Sequence, residues 1–126
     1  MKVLQMISCA YRATIEEQDD TILWLTQAMK AAGADLDVLL TGNAVNYALK
    51  GQDASGLEIG DWRQSQPPRI DDDLERMIGK GIAVLAVADD LAERGLADAS
   101  LVNGVRRIPR AELARLMAGY DRVWRW

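Results

Sequence analysis

The sequence predicts an α/β fold, a three-layer sandwich built on a mainly parallel five-stranded sheet. Two observations lead there. Short apolar runs of strand length recur along the chain. Each is separated from the next by a segment with helical spacing or by a long connection, and such strands pair in parallel, with crossover helices on the faces of the sheet. A third observation bounds the result: 126 residues, 49% hydrophobic and 27% charged, make one ordinary globular domain spanning 1–126.

The first run, Lys2 to Ser8, is the opening strand. Asp19, Asp20 and Thr21 supply cap and first-turn chemistry for a helix on which Ile22, Leu25, Met29 and Ala32 recur at helical spacing. Gly33 ends it by tolerating a left-handed backbone. Leu36 to Leu40 is the second strand, bounded by Asp35 and Thr41-Gly42. Asn43 is placed to cap a short helix carrying Val45, Tyr47, Ala48 and Leu49, which stops at Gly51. From Gln52 to Pro68 no periodicity survives, and this stretch reads as a long connection of the kind that serves function or an interface. Asp71, Asp72 and Asp73 start a helix through Leu74, Met77 and Ile78, closed by Lys80-Gly81. Ile82 to Val87 is the most uniformly apolar strand and reads as central in the sheet. Asp89 or Asp90 caps a short helix ending at Arg94-Gly95. A short strand follows near Val105, then a helix from Pro109 with Leu113, Leu116 and Met117. Arg122 to Trp126 is the last strand, with Trp124 and Trp126 on one face.

The chain has no histidine and one cysteine, Cys9. Histidine is the usual base near neutral pH and the commonest metal ligand. Its absence excludes Ser–His and Cys–His nucleophilic pairs and the usual catalytic zinc sites. Carboxylates, arginines, backbone amides and one thiol remain. A lone cysteine forms no internal disulfide and fits a reducing compartment. The net charge of −4 argues against nucleic acid as a partner. Gln5 and Ser8 interrupt the N-terminal apolar stretch, so it is not read as an export signal. No run approaches the roughly 18 apolar residues of a membrane helix. The expectation is a cytoplasmic protein, with no membrane partner.

In parallel α/β sheets ligands bind beyond the carboxyl ends of the strands. Those ends are Cys9 to Tyr11, Thr41 to Asn43, Ala88 to Asp90 and the segment near Asn103. Thr41, Gly42 and Asn43 open a helix, and their backbone amides suit an anion; the plainer reading is a turn with an Asn cap. The glycine–lysine–serine/threonine run of a phosphate loop is missing. Asp89 and Asp90 form an acid–base pair or, more plainly, a helix cap and a first-turn acid. Metal-ligand spacing is lacking, and no cofactor is expected. Trp62, Trp124 and Trp126 suit contacts between subunits, where tryptophan is enriched, or core and edge packing.

The order of segments resembles the DsrE/DsrF-like family of small sulfur-relay proteins. The resemblance rests on the opening strand running into a loop with Tyr11, and on Gly33-Ala34-Asp35 leading into Val38-Leu39-Leu40-Thr41-Gly42-Asn43-Ala44-Val45-Asn46. It rests also on an apolar strand followed by Ala92-Glu93-Arg94-Gly95-Leu96, and on an ending from Glu112-Leu113 through Tyr120-Asp121-Arg122-Val123. It covers nearly the whole chain. It implies assembly into homo- or hetero-oligomers, here a homo-oligomer of three or more chains, with other sulfur-relay proteins as partners. It also implies a persulfide-carrying cysteine at the end of the third strand. Counting back from Arg94-Gly95 puts that position at about Val87, and Leu85 to Asp90 contain no cysteine. Persulfide chemistry cannot use valine, so the carrier role does not transfer there.

Cys9 is the one thiol able to take that role, as the catalytic residue of an accessory or sulfur-relay protein, with Arg12 close by in sequence to favour the thiolate. The commoner fate of such a residue is a small, buried, inert packing position. Tyr11, Thr41, Gly42, Asn43 and Asp89 are the candidates for holding a ligand or anion. The alternative function is a non-enzymatic oligomeric module that binds a small ligand or a partner at its strand ends.

Overall fold

The computed structural model describes residues 1–11, 20–52 and 55–126. Five parallel strands form the main sheet: β1 (Lys2–Ile7), β2 (Asp35–Leu40), β5 (Val84–Val87), β6 (Arg106–Ile108) and β7 (Arg122–Arg125). Their order across the sheet is β6-β5-β2-β1-β7. Among the described residues four α-helices join them: α1 (Thr21–Ala31), α2 (Ile70–Gly79), α3 (Ala88–Glu93) and α4 (Leu113–Met117). A 3-10 helix spans Gly42–Ala48, and a shorter one, Arg110–Glu112, leads into α4. The α/β fold with a mainly parallel five-stranded sheet is as the sequence predicts.

The order of the strands decides where the helices go. From β1 the chain steps through β2 and β5 to β6 in one direction, then returns to place β7 on the far side of β1. Right-handed crossovers put connections running in opposite directions on opposite faces. The first cluster of buried side chains accordingly joins α1, α2, α3 and the 3-10 helix to Val3, Ile7, Val38, Leu40, Val84 and Ala86. The second joins Leu4, Leu39, Leu85, Val87 and Ile108 to half-buried Leu113, Leu116 and Met117 of α4. The alternating side chains of β1 and β2 supply both clusters.

Local chemistry explains the elements. Asp20 is the N-cap of α1, and its carboxylate accepts from the amides of Ile22 and Leu23 at 2.8 and 3.1 Å. Its other oxygen accepts from the Tyr47 hydroxyl at 2.6 Å, which ties the start of α1 to the 3-10 helix. Asp19, expected to share this role, lies outside the described residues. Asp71, Asp72 and Asp73 occupy the first turn of α2, where negative charge complements the helix dipole.

Four expectations need correction. The middle strand is β2, not β5, which lies one place nearer the β6 edge. Two aspartates mask the burial of β2 in the sequence. Of these, Asp37 is buried by virtue of its partners: the Tyr120 hydroxyl at 2.7 Å, the Ala83 amide at 2.8 Å and Lys2 Nζ at 3.2 Å. Asn43 caps nothing: Thr41 holds the N-cap position without a side-chain bond. The position before α3 is Val87, also without a side-chain cap, and Asp89 and Asp90 are first-turn residues. The connection after Gln52 contains a hairpin, β3 (Glu58–Ile59) and β4 (Trp62–Arg63), turning at Gly60 with φ +59°. Strands of two residues are too short to show alternation.

Candidate functional site at the strand ends

Two polar groups gather where the strands end. The first joins β2, β5 and β6. Gly42, at φ +51°, opens the 3-10 helix, where its amide has no partner within the helix, and Asp90 Oδ2 accepts from it at 2.7 Å. Asp90 Oδ1 lies 2.5 Å from Arg110 Nη2, which also reaches Glu93 at 3.0 Å. The Arg110 amide donates to Asp89 at 3.1 Å. Arg94 donates to Asn43 Oδ1 at 2.9 and 3.2 Å and to the Asp90 carbonyl at 3.0 Å. Burial by itself would raise the Asp90 carboxyl; the Gly42 amide, Arg110 and Arg94 outweigh it and hold the group below the ordinary carboxylate range. The hydrogen bonds to Asp90 and Glu93 raise Arg110 in turn.

The second group surrounds the chain as it leaves β1. The Thr41 amide donates to the Ile7 carbonyl at 2.9 Å. Ser8 donates its amide and its hydroxyl to the Trp126 carbonyl at 3.0 and 2.7 Å. Cys9 follows, with its side chain exposed. The Tyr11 ring then packs edge-on against Tyr47 at 5.2 Å between centroids, and its hydroxyl donates to Gln52. Gln52 donates to the carbonyls of Asn46 and Leu49 at 2.8 and 3.2 Å. Burial against these neighbours raises the Tyr11 phenol.

Gly42, Asn43 and Asp89 thus belong to one connected surface, while Thr41 is buried and bonds to Ile7 at the end of β1. The Gly42 amide, suited on sequence grounds to an external anion, is engaged by the protein's own Asp90. Tyr11 anchors a separate corner with Tyr47 and Gln52. Cys9 is exposed rather than buried, because β1 ends at Ile7 and the chain has left the sheet before the thiol. Arg12, its expected neighbour, lies outside the described residues. Val87, at the end of β5, is fully buried. Sequence reasoning missed Arg110, Arg94 and Gln52. The first two carried a signal, since each sits just beyond an acidic helix turn or a strand end. Gln52 carried none. Among the described residues no cluster of acids and thiol is built to hold a metal ion, and no helix is long and apolar enough to cross a membrane.

Cys9 stands at a particular place in the topology. The strand order reverses between β1 and β7, and the carboxyl ends of those two strands carry Ser8-Cys9 and Trp126. This is the switch point at which open α/β sheets leave a crevice for ligands. The overall fold occurs in solved structures. The YchN protein of E. coli superimposes with a TM-score of 0.75 at 20% identity, covering 100% of both chains. The fold is DsrE/YchN-like. MTH1491 from Methanobacterium thermoautotrophicum, a protein of unknown function, gives a TM-score of 0.68 at 13% identity over 99% of this chain and 98% of its own. No family model matches the chain, and no curated protein matches it. At these identities the likeness shows the DsrE/YchN-like fold alone.

Proposed function

We propose that this DsrE/YchN-like protein is an accessory or sulfur-relay component of intracellular sulfur metabolism, with Cys9 as its sulfur carrier. The observation that carries this reading is the exposure of the chain's one thiol at the switch point of the sheet. The chemistry is an exchange. The Cys9 thiolate attacks the sulfane sulfur of a donor persulfide or polysulfide. A new S–S bond forms on Cys9, the donor's S–S bond breaks, and the shortened donor leaves with the bonding pair. No electrons are drawn from solution. A second persulfide exchange passes the outer sulfur to an acceptor thiol. In this reading the protein works in the cytoplasm as a homo-oligomer of three or more chains, with other sulfur-relay proteins as partners.

Intact-mass measurement after incubation with inorganic polysulfide tests the reading. The expected product is the native chain plus one sulfur atom, reversed by dithiothreitol and absent from Cys9→Ser. No gain, with the Cys9 thiol fully recovered, overturns sulfur carriage. The alternative is then an oligomeric module that binds a partner or small ligand without chemistry, and the exposure of Ile59, Trp62, Val123 and Trp126 favours it.

A further inference from the structure

Two surfaces of this chain are exposed, apolar and opposite in charge. The first is the β3–β4 hairpin. Every residue from 55 to 63 is exposed, among them Leu57, Ile59 and Trp62 at 45%, 67% and 46%. An isolated two-stranded hairpin is marginal in water, and large apolar side chains grouped in the open mark a contact surface. Glu58 is paired with Arg63 at 2.7 Å. Asp61, at the turn, has no cationic partner among the described residues.

The second surface is the outer edge of β7. Trp126 donates to Met6 and accepts from Ser8, so the alternation of the ladder turns the backbone groups of Val123 and Arg125 outward. No described strand pairs with that edge. A shallow concavity of about 500 Å³ runs along it, lined by Val123, Trp124, Arg125 and Trp126. Val123 and Trp126 are 38% and 36% exposed. Neither Arg122 nor Arg125 has a carboxylate partner among the described residues.

We propose that the hairpin of one copy docks on the β7 edge of a second copy, with Ile59 and Trp62 against Val123 and Trp126 and Asp61 beside Arg125. This rests on the self-association put forward above and names its surfaces. Charge selects the pairing. Two β7 edges brought together would confront four arginines, whereas the hairpin brings an unmatched acid to unmatched cations. The opposite edge, β6, is also basic through Arg106 and Arg107, but its apolar residue Ile108 is buried and offers the hairpin nothing to cover. Because hairpin and edge are different patches, a contact that repeats from copy to copy is heterologous, and the rotation between neighbours decides whether it closes into a ring.

Light scattering of the full chain tests this. The wild type is expected to assemble into three or more copies. Asp61→Arg, Arg125→Asp and the charge-neutral Trp62→Ala each reduce it to a monomer; Asp61→Arg combined with Arg125→Asp restores assembly, and Arg106→Asp leaves it intact. Circular dichroism confirms the fold of each variant. A monomeric wild type overturns self-association and this interface together. An oligomeric wild type whose mass survives both Asp61→Arg and Trp62→Ala, or a charge-exchanged variant that stays monomeric, overturns the interface alone.

Discussion

Among the described residues, one face of the main sheet shares a cluster of nineteen buried apolar residues with α1, α2, α3 and a 3-10 helix, whereas the other has a cluster of five beneath the five-residue α4. Direction of travel produces the contrast. Three successive steps toward β6 stack their connections on one side, and the single return to β7 leaves one short helix on the other. The thick face is held mainly by hydrocarbon, with the buried Asp20–Tyr47 bond beside it. The thin face adds polar pins: Asp37 gathers Tyr120, the Ala83 amide and Lys2, and Lys2 Nζ also lies 4.9 Å from the centre of the Tyr120 ring. Where a small domain has little apolar surface to bury, a satisfied buried carboxylate fixes the register of the covering segment instead.

The largest effect belongs to the thick face. Leu74 of α2 is fully buried. Leu74→Ala is expected to lower the unfolding free energy by about 2–5 kcal/mol in urea titrations. A cost below about 1 kcal/mol would break the claim that this face dominates.

The polar pin of the thin face comes next. Burial alone would raise the Asp37 carboxyl, but Tyr120, the Ala83 amide and Lys2 bring it below the ordinary range; burial and then Asp37 push Tyr120 up. A carboxylate lowered in the folded state stabilises fully above the unfolded value of about 3.9, and that contribution is lost as the pH falls through the folded value. Asp90 behaves alike. Stability is therefore expected to fall below about pH 4. Asp37→Asn should cost about 1–2 kcal/mol at neutral pH and make the acid limb shallower. An unchanged limb in urea titrations across pH 2–7 would show that Asp37 is not a pin.

The smallest effect sharpens the comparison. Leu116 of α4 is only half-buried, so Leu116→Ala is expected to cost about 1 kcal/mol or less. A cost equal to that of Leu74→Ala would mean that another copy covers the thin face in solution.

The same inequality sets what the sequence makes legible. Elements packed on the thick face announce themselves, because a helix with Ile22 and Met29 at helical spacing, or a strand such as Val84–Val87, has a pattern imposed by burial. The middle position of β2 is hidden because Asp37 is polar by composition and buried by partnership. The hairpin is hidden because nothing is buried on it. At the strand ends the segments were legible from topology alone: Thr41 to Asn43 and Asp89-Asp90 do converge. What they converge on was not. The clamp on Asp90 depends on Gly42 and Arg110, 48 and 20 residues away, and no local pattern encodes pairings of that span. The exposure of Cys9 turns on where β1 stops, and a strand boundary is the least determined feature of a sequence reading.

The pairing of β1 with β7 has a kinetic consequence. Lys2 and Asp121 hydrogen-bond across 119 residues, whereas β1 meets β2 after 33. Closing so long a span costs chain entropy before any ladder bond repays it. The β1–β2 pair is therefore the natural early contact, and the strand that completes the sheet, together with the helix that covers the thin face, is natural to arrive last. Until it does, both the outer edge of β1 and the apolar side of Leu4 and Leu39 stand open. The interval before β7 docks is when this chain is most exposed to pairing with the wrong strand.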